Sequence, residues 1–125
     1  LVHQVDRGQW GTVGGAVEPG ESPAEAAVRE AREETGLEVE LTGLVAALGG
    51  PDFEMTYPNG DECAYISIVF DACVTGGQLV ADGVEVSHCG WFTPAELAAA
   101  DISTVSRSVL RAVDALPTVP GASTV

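Results

Sequence analysis

The sequence predicts a single α/β domain in which helices pack against a mixed β-sheet. The chain has 125 residues, a length that suits one domain with one hydrophobic core. Hydrophobic residues make up 46% of it, which excludes disorder as the main state. Apolar segments of strand character alternate with two segments that carry helix-capping patterns, and such interleaving is typical of α/β sandwiches. We expect the domain to span residues 1–116 and a flexible tail to follow at 117–125.

The expected strands are short and separated by glycine-rich loops. They are residues 1–5, 16–17, 37–48 with a break at Gly43, 63–74, 78–81 and 86–92. The segment 63–74 is dense in β-branched and aromatic residues, so it should be a buried central strand with Cys73 in the core. Residues 49–61 contain a Pro-Asn-Gly-Asp turn signal and should form a loop or hairpin.

The first helix has the clearest boundaries. Ser22 is the expected N-cap, Pro23 suits the first helical position, and Glu25 completes a capping box. The helix should run through Thr35 and end at Gly36, because glycine adopts the left-handed conformation there without steric cost.

Two further helices are expected near the end of the chain. Thr93 and Glu96 form a second capping box, which should open a short helix reaching about Ala100. Apolar residues at helical spacing predict another helix over residues 103–115, ended by Pro117.

Charge narrows the classes of function. The net charge is −14, and all five cationic side chains are arginines. A surface this acidic argues against binding to nucleic acid or to anionic membranes, and the lack of lysine excludes Schiff-base chemistry. Three cysteines without a CxxC pair support neither a disulfide framework nor a thiolate zinc site. We therefore expect a cytoplasmic protein.

The acidic residues concentrate on the first helix and its flanks, where residues 18–40 hold eight of the twelve glutamates. Glu30, Glu33 and Glu34 should lie within about one third of the helix circumference, beside its apolar stripe. Arg29 should project mostly away from these glutamates, so that the repulsion among the three carboxylates is not fully cancelled. Oxygen ligands in this arrangement suit Mg²⁺ or Mn²⁺. The alternative is a solvated acidic face.

A linear pattern sharpens this interpretation. Gly15 is followed after five residues by Glu21 and after seven more by the run Arg-Glu-Ala-Arg-Glu-Glu-Thr-Gly-Leu at 29–37. This resembles the Nudix box, Gly-x5-Glu-x7-Arg-Glu-U-x-Glu-Glu-x-Gly-U with U aliphatic. All seven fixed identities are present, although Ala31 is small for the first U. A double glycine after Trp10-Gly11 and the pair Trp91-Phe92 also resemble that family.

The resemblance implies a Nudix-type α/β/α sandwich that hydrolyses nucleoside diphosphates linked to another group, with Mg²⁺ or Mn²⁺ and water. Its metal ligands would be the three glutamates, Glu30, Glu33 and Glu34, with the Gly15 carbonyl as a further ligand. Glu21 and Arg29 would form the ion pair that holds the loop and the helix in register. The family also includes homodimers.

The general base is open at this stage. Glu85 fits best, because many family members use a glutamate on a loop a few residues before the tryptophan-containing strand. Glu33 acting on a metal-bound water is the main competitor. Asp82 and His88 are nearby alternatives, although His88 lies inside an expected strand, where a structural role suits it better than a role as base.

Substrate recognition is less legible. Phe53 and Tyr57 lie in the loop at 49–61 and could stack on a nucleobase, or could close the hydrophobic edge of the fold. The expected substrate is a small nucleotide, first an ADP-ribose-like nucleoside diphosphate sugar and second a nucleoside triphosphate, oxidised forms included. Trp10 and Trp91 are expected to be packing residues. A non-catalytic nucleotide sensor is a distant alternative.

Overall fold

The computed structural model describes residues 1–116 and confirms the α/β class, with three helices and three antiparallel sheets in that range. The strands are β1 (Val2–Gln4), β2 (Gln9–Gly11), β3 (Leu37–Leu48), β4 (Glu54–Thr56), β5 (Glu62–Ala64), β6 (Ser67–Gly77) and β7 (Val86–Cys89). The helices are α1 (Pro23–Thr35), α2 (Pro94–Ala99) and α3 (Thr104–Ala112), and a 3₁₀ turn covers Pro51–Phe53. The expected tail, 117–125, lies outside the described residues.

Helix α1 has the predicted boundaries. The Ser22 hydroxyl accepts a hydrogen bond from the Glu25 N–H at 3.1 Å, and the Glu25 carboxylate accepts one from the Ser22 N–H at 3.2 Å. Gly36 is left-handed, with φ of 74°, and its N–H bonds to the Arg32 carbonyl. At each end of the helix, the capping bonds therefore join residues that are at most four positions apart in the sequence.

The strands form two main sheets. Strand β1 lies between β2 and β7 in one sheet, and β3 pairs with β6 in the other. The register of β3 against β6 shifts between Leu41 and Gly43, so the expected break at Gly43 is a kink within one continuous strand. Strands β4 and β5 form the hairpin expected within 49–61, extended to Ala64.

The prediction of one buried strand over residues 63–74 is wrong in two respects. The chain leaves strand geometry at Tyr65, whose N–H bonds to the Phe53 carbonyl, and β6 starts only at Ser67. Among the described strands β6 pairs with β3 alone, so much of it stays accessible to solvent. Cys73 is exposed, and Val74 is 47% exposed. Apolar composition identified the strand but could not show that so much of it lies uncovered.

Other short strands and the helix ends also differ from expectation. Residues 16–17 and 78–81 are irregular, and the N–H of Val80 bonds to the Thr35 carbonyl at the end of α1 instead of to a neighbouring strand. The strand expected at 86–92 ends at Cys89. The last helix ends at Ala112, where Val113 terminates it.

The main core cluster fixes the loop that precedes α1. Leu97, Ile102, Leu110 and Leu116 pack together, with Trp10 and Phe92 against them. From α3, the Ser106 hydroxyl accepts a hydrogen bond from the Thr12 N–H at 2.9 Å and anchors the start of the glycine-rich loop. Trp10 is thus a packing residue as expected, whereas Trp91 is 71% exposed, contrary to expectation. None of the described helices is long and apolar enough to cross a membrane.

Candidate active site

Arg29 is the centre of the polar network on α1. Its Nε and Nη2 donate to the two carboxylate oxygens of Glu21 at 2.7 and 2.9 Å, and Nη2 also donates to the Ala16 carbonyl at 3.0 Å. Its Nη1 donates to Glu30 at 2.8 Å and to Glu33 at 3.1 Å. A guanidinium has five N–H groups, so all of its donors are used.

The network corrects one expectation and bears on another. Arg29 does not project away from the glutamates, because residues one and four positions apart on a helix can share its guanidinium. Two parallel hydrogen bonds join Arg29 to Glu21, the arrangement that gives the strongest arginine–carboxylate pairs. This contact lowers the pKa of Glu21 to about 2, helped by a hydrogen bond from the Glu18 N–H, and raises the pKa of Arg29.

The glycine-rich loop lies against two of the glutamates. A Cβ at Gly15 would stand 2.6 Å from the carboxylate carbon of Glu30, so only glycine allows this approach. The N–H of Gly14 donates to Glu34 at 3.4 Å. The loop backbone and the two carboxylates therefore enclose one small polar volume.

The three helix glutamates differ in environment. Glu34 is buried, the Glu30 side chain is mostly buried, and the Glu33 side chain is 57% exposed. Burial, together with the negative charges of Glu30 and Glu85, raises the pKa of Glu34 to about 8, against the opposing hydrogen bond from the Gly14 N–H. A carboxyl with so high a pKa keeps its proton near neutral pH unless a positive charge is bound beside it.

The carboxylate and carbonyl oxygens of this site are the ligand type that a hard divalent cation prefers, but the side chains are not yet arranged as a coordination shell. Within residues 1–116, no group of three or more His, Cys, Asp or Glu side chains is arranged to hold a metal ion directly. Glu30 and Glu33 contact Arg29, while Glu34 is the glutamate whose charge lacks an arginine partner. The oxygen-only donors and the glycine cradle at position 15 nonetheless suit Mg²⁺ or Mn²⁺.

Glu85 comes to this site from the loop before β7. It lies close enough to Glu34 for its charge to raise the pKa of that carboxyl. One oxygen of Asp82 accepts hydrogen bonds from the N–H groups of Val84, Glu85 and Val86 at 2.8, 3.1 and 2.9 Å. These bonds lower the pKa of Asp82 and commit it to shaping the loop, which argues against its role as base. The Asp-Gly turn signal was visible in the sequence, but its consequence for Glu85 was not.

Within the described part of the chain, the remaining candidate residues have no hydrogen bond to the Arg29 network. His88 points its Nδ1 at the Ser87 hydroxyl, 3.0 Å away, and its ring meets that of His3 edge-on. Phe53 is buried, as the packing alternative requires. Tyr57 is partly exposed, and its hydroxyl bonds to that of Tyr65. The binding roles of Phe53 and Tyr57 stay predictions.

A cleft of about 950 Å³ adjoins the polar site. Gly14 and Gly15 line one part of it, and Phe53, Tyr65 and Trp91 line other parts. The glycine-rich loop therefore lies between the carboxylates and a largely apolar, partly aromatic volume of the kind that small-molecule sites favour.

Together the fold and the site define an α/β protein with a glycine loop packed on an acidic, arginine-braced helix. The NUDIX domain model matches residues 1–113. A putative 8-oxo-dGTP diphosphatase from Bacillus subtilis (strain 168) is 39% identical over 78% of this chain and 58% of its own length. Nucleoside triphosphatase NudI from Escherichia coli O1:K1 / APEC is 36% identical over 83% of this chain and 75% of its own.

The chain belongs to the Nudix family. Among solved structures, that of a UDP-X diphosphatase matches 92% of this chain and 54% of that one, with a TM-score of 0.74 and 23% identity. This likeness concerns the fold alone. The chain spans little more than half the length of that protein and of the Bacillus subtilis relative.

Proposed function

We propose that this chain catalyses the attack of water on a pyrophosphate linkage of a nucleotide. The observation that carries the proposal is the packing of Gly15 on Glu30, in a loop held by Arg29 through Glu21 and the Ala16 carbonyl. This packing gives a structural reason for the spacing of glycine, glutamate and arginine in the Nudix box.

Each residue has an assigned task. Glu30, Glu33 and Glu34 would hold a divalent cation, Mg²⁺ or Mn²⁺, together with the Gly15 carbonyl. A cation held there would supply Lewis acidity toward phosphate oxygens and would lower the pKa of a bound water. Glu21 and Arg29 position the loop on the helix.

Glu85 is the proposed base. The negative charge of Glu85 contributes to the raised pKa of Glu34, which supports a proton acceptor near the carboxylates that would recruit the cation. Glu33 is a weaker candidate for this role because it is one of the three glutamates assigned to the cation and its side chain is more exposed.

The proposed substrate is a nucleoside triphosphate, cleaved to the monophosphate and pyrophosphate. The sequence alone placed nucleoside diphosphate sugars first. The names of the two relatives described above both refer to triphosphate or oxidised triphosphate substrates, which supports the reverse order.

Base recognition is assigned to the aromatic part of the cleft. Tyr65 and the exposed Trp91 line it and offer stacking surface, while Phe53 lies at its buried wall. Trp91→Ala should raise KM for a triphosphate with a smaller change in kcat, because the indole would contact the base and not the reacting phosphates.

A substrate panel tests the activity. The full chain would be incubated with Mg²⁺ or Mn²⁺ and with dGTP, 8-oxo-dGTP, the other nucleoside triphosphates, ADP-ribose and a UDP-sugar, and products would be identified by chromatography. Monophosphate plus pyrophosphate from a triphosphate supports the proposal. Preferential cleavage of ADP-ribose restores the first sequence-based expectation. Nucleotide binding without turnover of any compound indicates a sensor. A cytoplasmic location and homodimerisation stay predictions.

A further inference from the structure

The guanidinium of Arg29 has two edges with different partners. The edge formed by Nε and Nη2 contacts Glu21 and the Ala16 carbonyl, both in the segment before α1. The remaining nitrogen, Nη1, contacts Glu30 and Glu33 on α1 itself. The first edge joins loop to helix, whereas Nη1 touches two of the carboxylates assigned to the cation.

These contacts place Nη1 in competition with any cation. Nη1 lies 2.8 Å from an oxygen of Glu30 and 3.1 Å from an oxygen of Glu33, so these two carboxylates share one positive group, which also pairs with Glu21. Coordination of Mg²⁺ requires carboxylate oxygens at about 2.1 Å from the ion. A cation that takes the oxygen of Glu30 or Glu33 that accepts from Nη1 competes with the guanidinium for that oxygen and for the negative charge.

The Nε and Nη2 edge of Arg29 is expected to keep its contacts when a cation binds. Glu21 accepts from Nε and Nη2 together, and such paired, charge-assisted bonds are stronger than single contacts. The Glu21 side chain is mostly buried, whereas Glu33 is largely in solvent and can reorient at low cost. Release should therefore start at Nη1.

We propose that Arg29 is a charge-exchange residue: Nη1 donates to Glu30 and Glu33 until a divalent cation binds, and then releases them, while Nε and Nη2 remain on Glu21 and Ala16. The inference rests on the proposed function in taking Glu30 and Glu33 as cation ligands. In this exchange Arg29 is a positioning residue that also weakens cation binding. Each carboxylate that moves to the cation gives up its ion pair with Arg29.

Arginine side-chain NMR tests this exchange. The chain has five arginines, so their guanidinium ¹H–¹⁵N signals can be assigned by substitution. Titration with Mg²⁺, which is diamagnetic, should shift the Arg29 Nη1 signals and leave the Nε–H signal nearly unchanged. Arg32 lies on the same helix, and its Nε–H is bonded to Glu38 of β3 at 2.7 Å. The Nε–H signal of Arg32 is the internal control and should not shift.

Calorimetric titration of Mg²⁺ into a pair of variants supplies the second measurement. Arg29→Gln should bind Mg²⁺ about threefold to tenfold more tightly than wild type, the size of one or two lost ion pairs. Arg32→Gln removes the same charge from the same helix and should stay within about twofold, since its pair with Glu38 lies outside the site.

The outcomes separate the two proposals. Mg²⁺ binding with shifted Nη1 signals and a tighter Arg29→Gln variant supports the exchange. Mg²⁺ binding with unmoved Nη1 signals overturns the exchange and leaves the proposed function standing. Absence of Mg²⁺ binding by the wild-type chain overturns both.

Discussion

Gly15 lies directly against the carboxylate of Glu30, so close that a Cβ at position 15 would stand 2.6 Å from the Glu30 carboxylate carbon. The glycine of the box is therefore required by its contact with the helix, and its φ is not in the left-handed region. A side chain at position 15 would therefore force the Glu30 carboxylate or the loop to move.

Gly15→Ala should lower kcat about 10²-fold, because the added methyl must displace Glu30 or the loop by a distance that catalytic positioning does not tolerate. Gly14→Ala is the matched control, since a Cβ there meets nothing within 4 Å and alanine keeps the N–H that Glu34 accepts. Steady-state kinetics of both variants, with circular dichroism to confirm folding, checks the prediction. Equal activity of the two variants would show that the contact is unimportant.

Glu34→Gln should lower activity by orders of magnitude and change how stability depends on pH. The folded pKa of Glu34 is about 8, above its usual 4.5, so the folded state binds the proton more tightly than the unfolded state. Its contribution to stability is full below about 4.5 and falls as pH rises toward 8, by at most about 5 kcal/mol at 1.4 kcal/mol per pKa unit.

Thermal melts from pH 4.5 to 8.5 without divalent cations measure this effect. Wild-type Tm should decline across the range more steeply than that of Glu34→Gln, which lacks the titrating carboxyl. Parallel Tm curves for the two proteins would contradict the assignment.

Glu21→Gln should lower kcat by about tenfold or more through loss of the paired contact that holds Arg29. The pKa of Glu21 is lowered to about 2 chiefly by its hydrogen bond with Arg29, so its stabilising charge is present above about 4.5 and is lost as pH falls toward 2. The Tm difference between wild type and variant should shrink in that window. Glu38→Gln, which breaks the Arg32 pair, should leave kcat unchanged.

Glu85→Gln should reduce kcat about 10²- to 10⁴-fold, because the proposed base would be lost. Glu40→Gln, a substitution of an exposed glutamate on β3, serves as the control in the same steady-state assay. A loss below tenfold would transfer the role to Glu33 or His88.

Asp82→Ala should lower activity because three loop N–H groups, including that of Glu85, lose their acceptor. Asp82→Asn keeps an acceptor oxygen and should recover most of the activity, since the role assigned to Asp82 is to shape the loop. Equal losses in Asp82→Asn and Asp82→Ala would instead point to proton transfer by Asp82. Kinetics of both variants with one triphosphate gives the comparison.

The sequence by itself determined the features that depend on near neighbours. Both ends of α1 follow from Ser22, Glu25 and Gly36, because capping bonds join residues within about four positions. The spacing of the box and the family followed from the same stretch.

Tertiary structure decided which charges meet. The sequence could not show that Glu34 is buried while Glu33 is exposed, since the two are adjacent and equally charged. It could not show that Arg29 turns toward Glu30, or that Glu85, 51 positions after Glu34, approaches it. Desolvation and Coulomb interactions depend on distance in space, so long-range packing had to be known before the helix glutamates could be told apart.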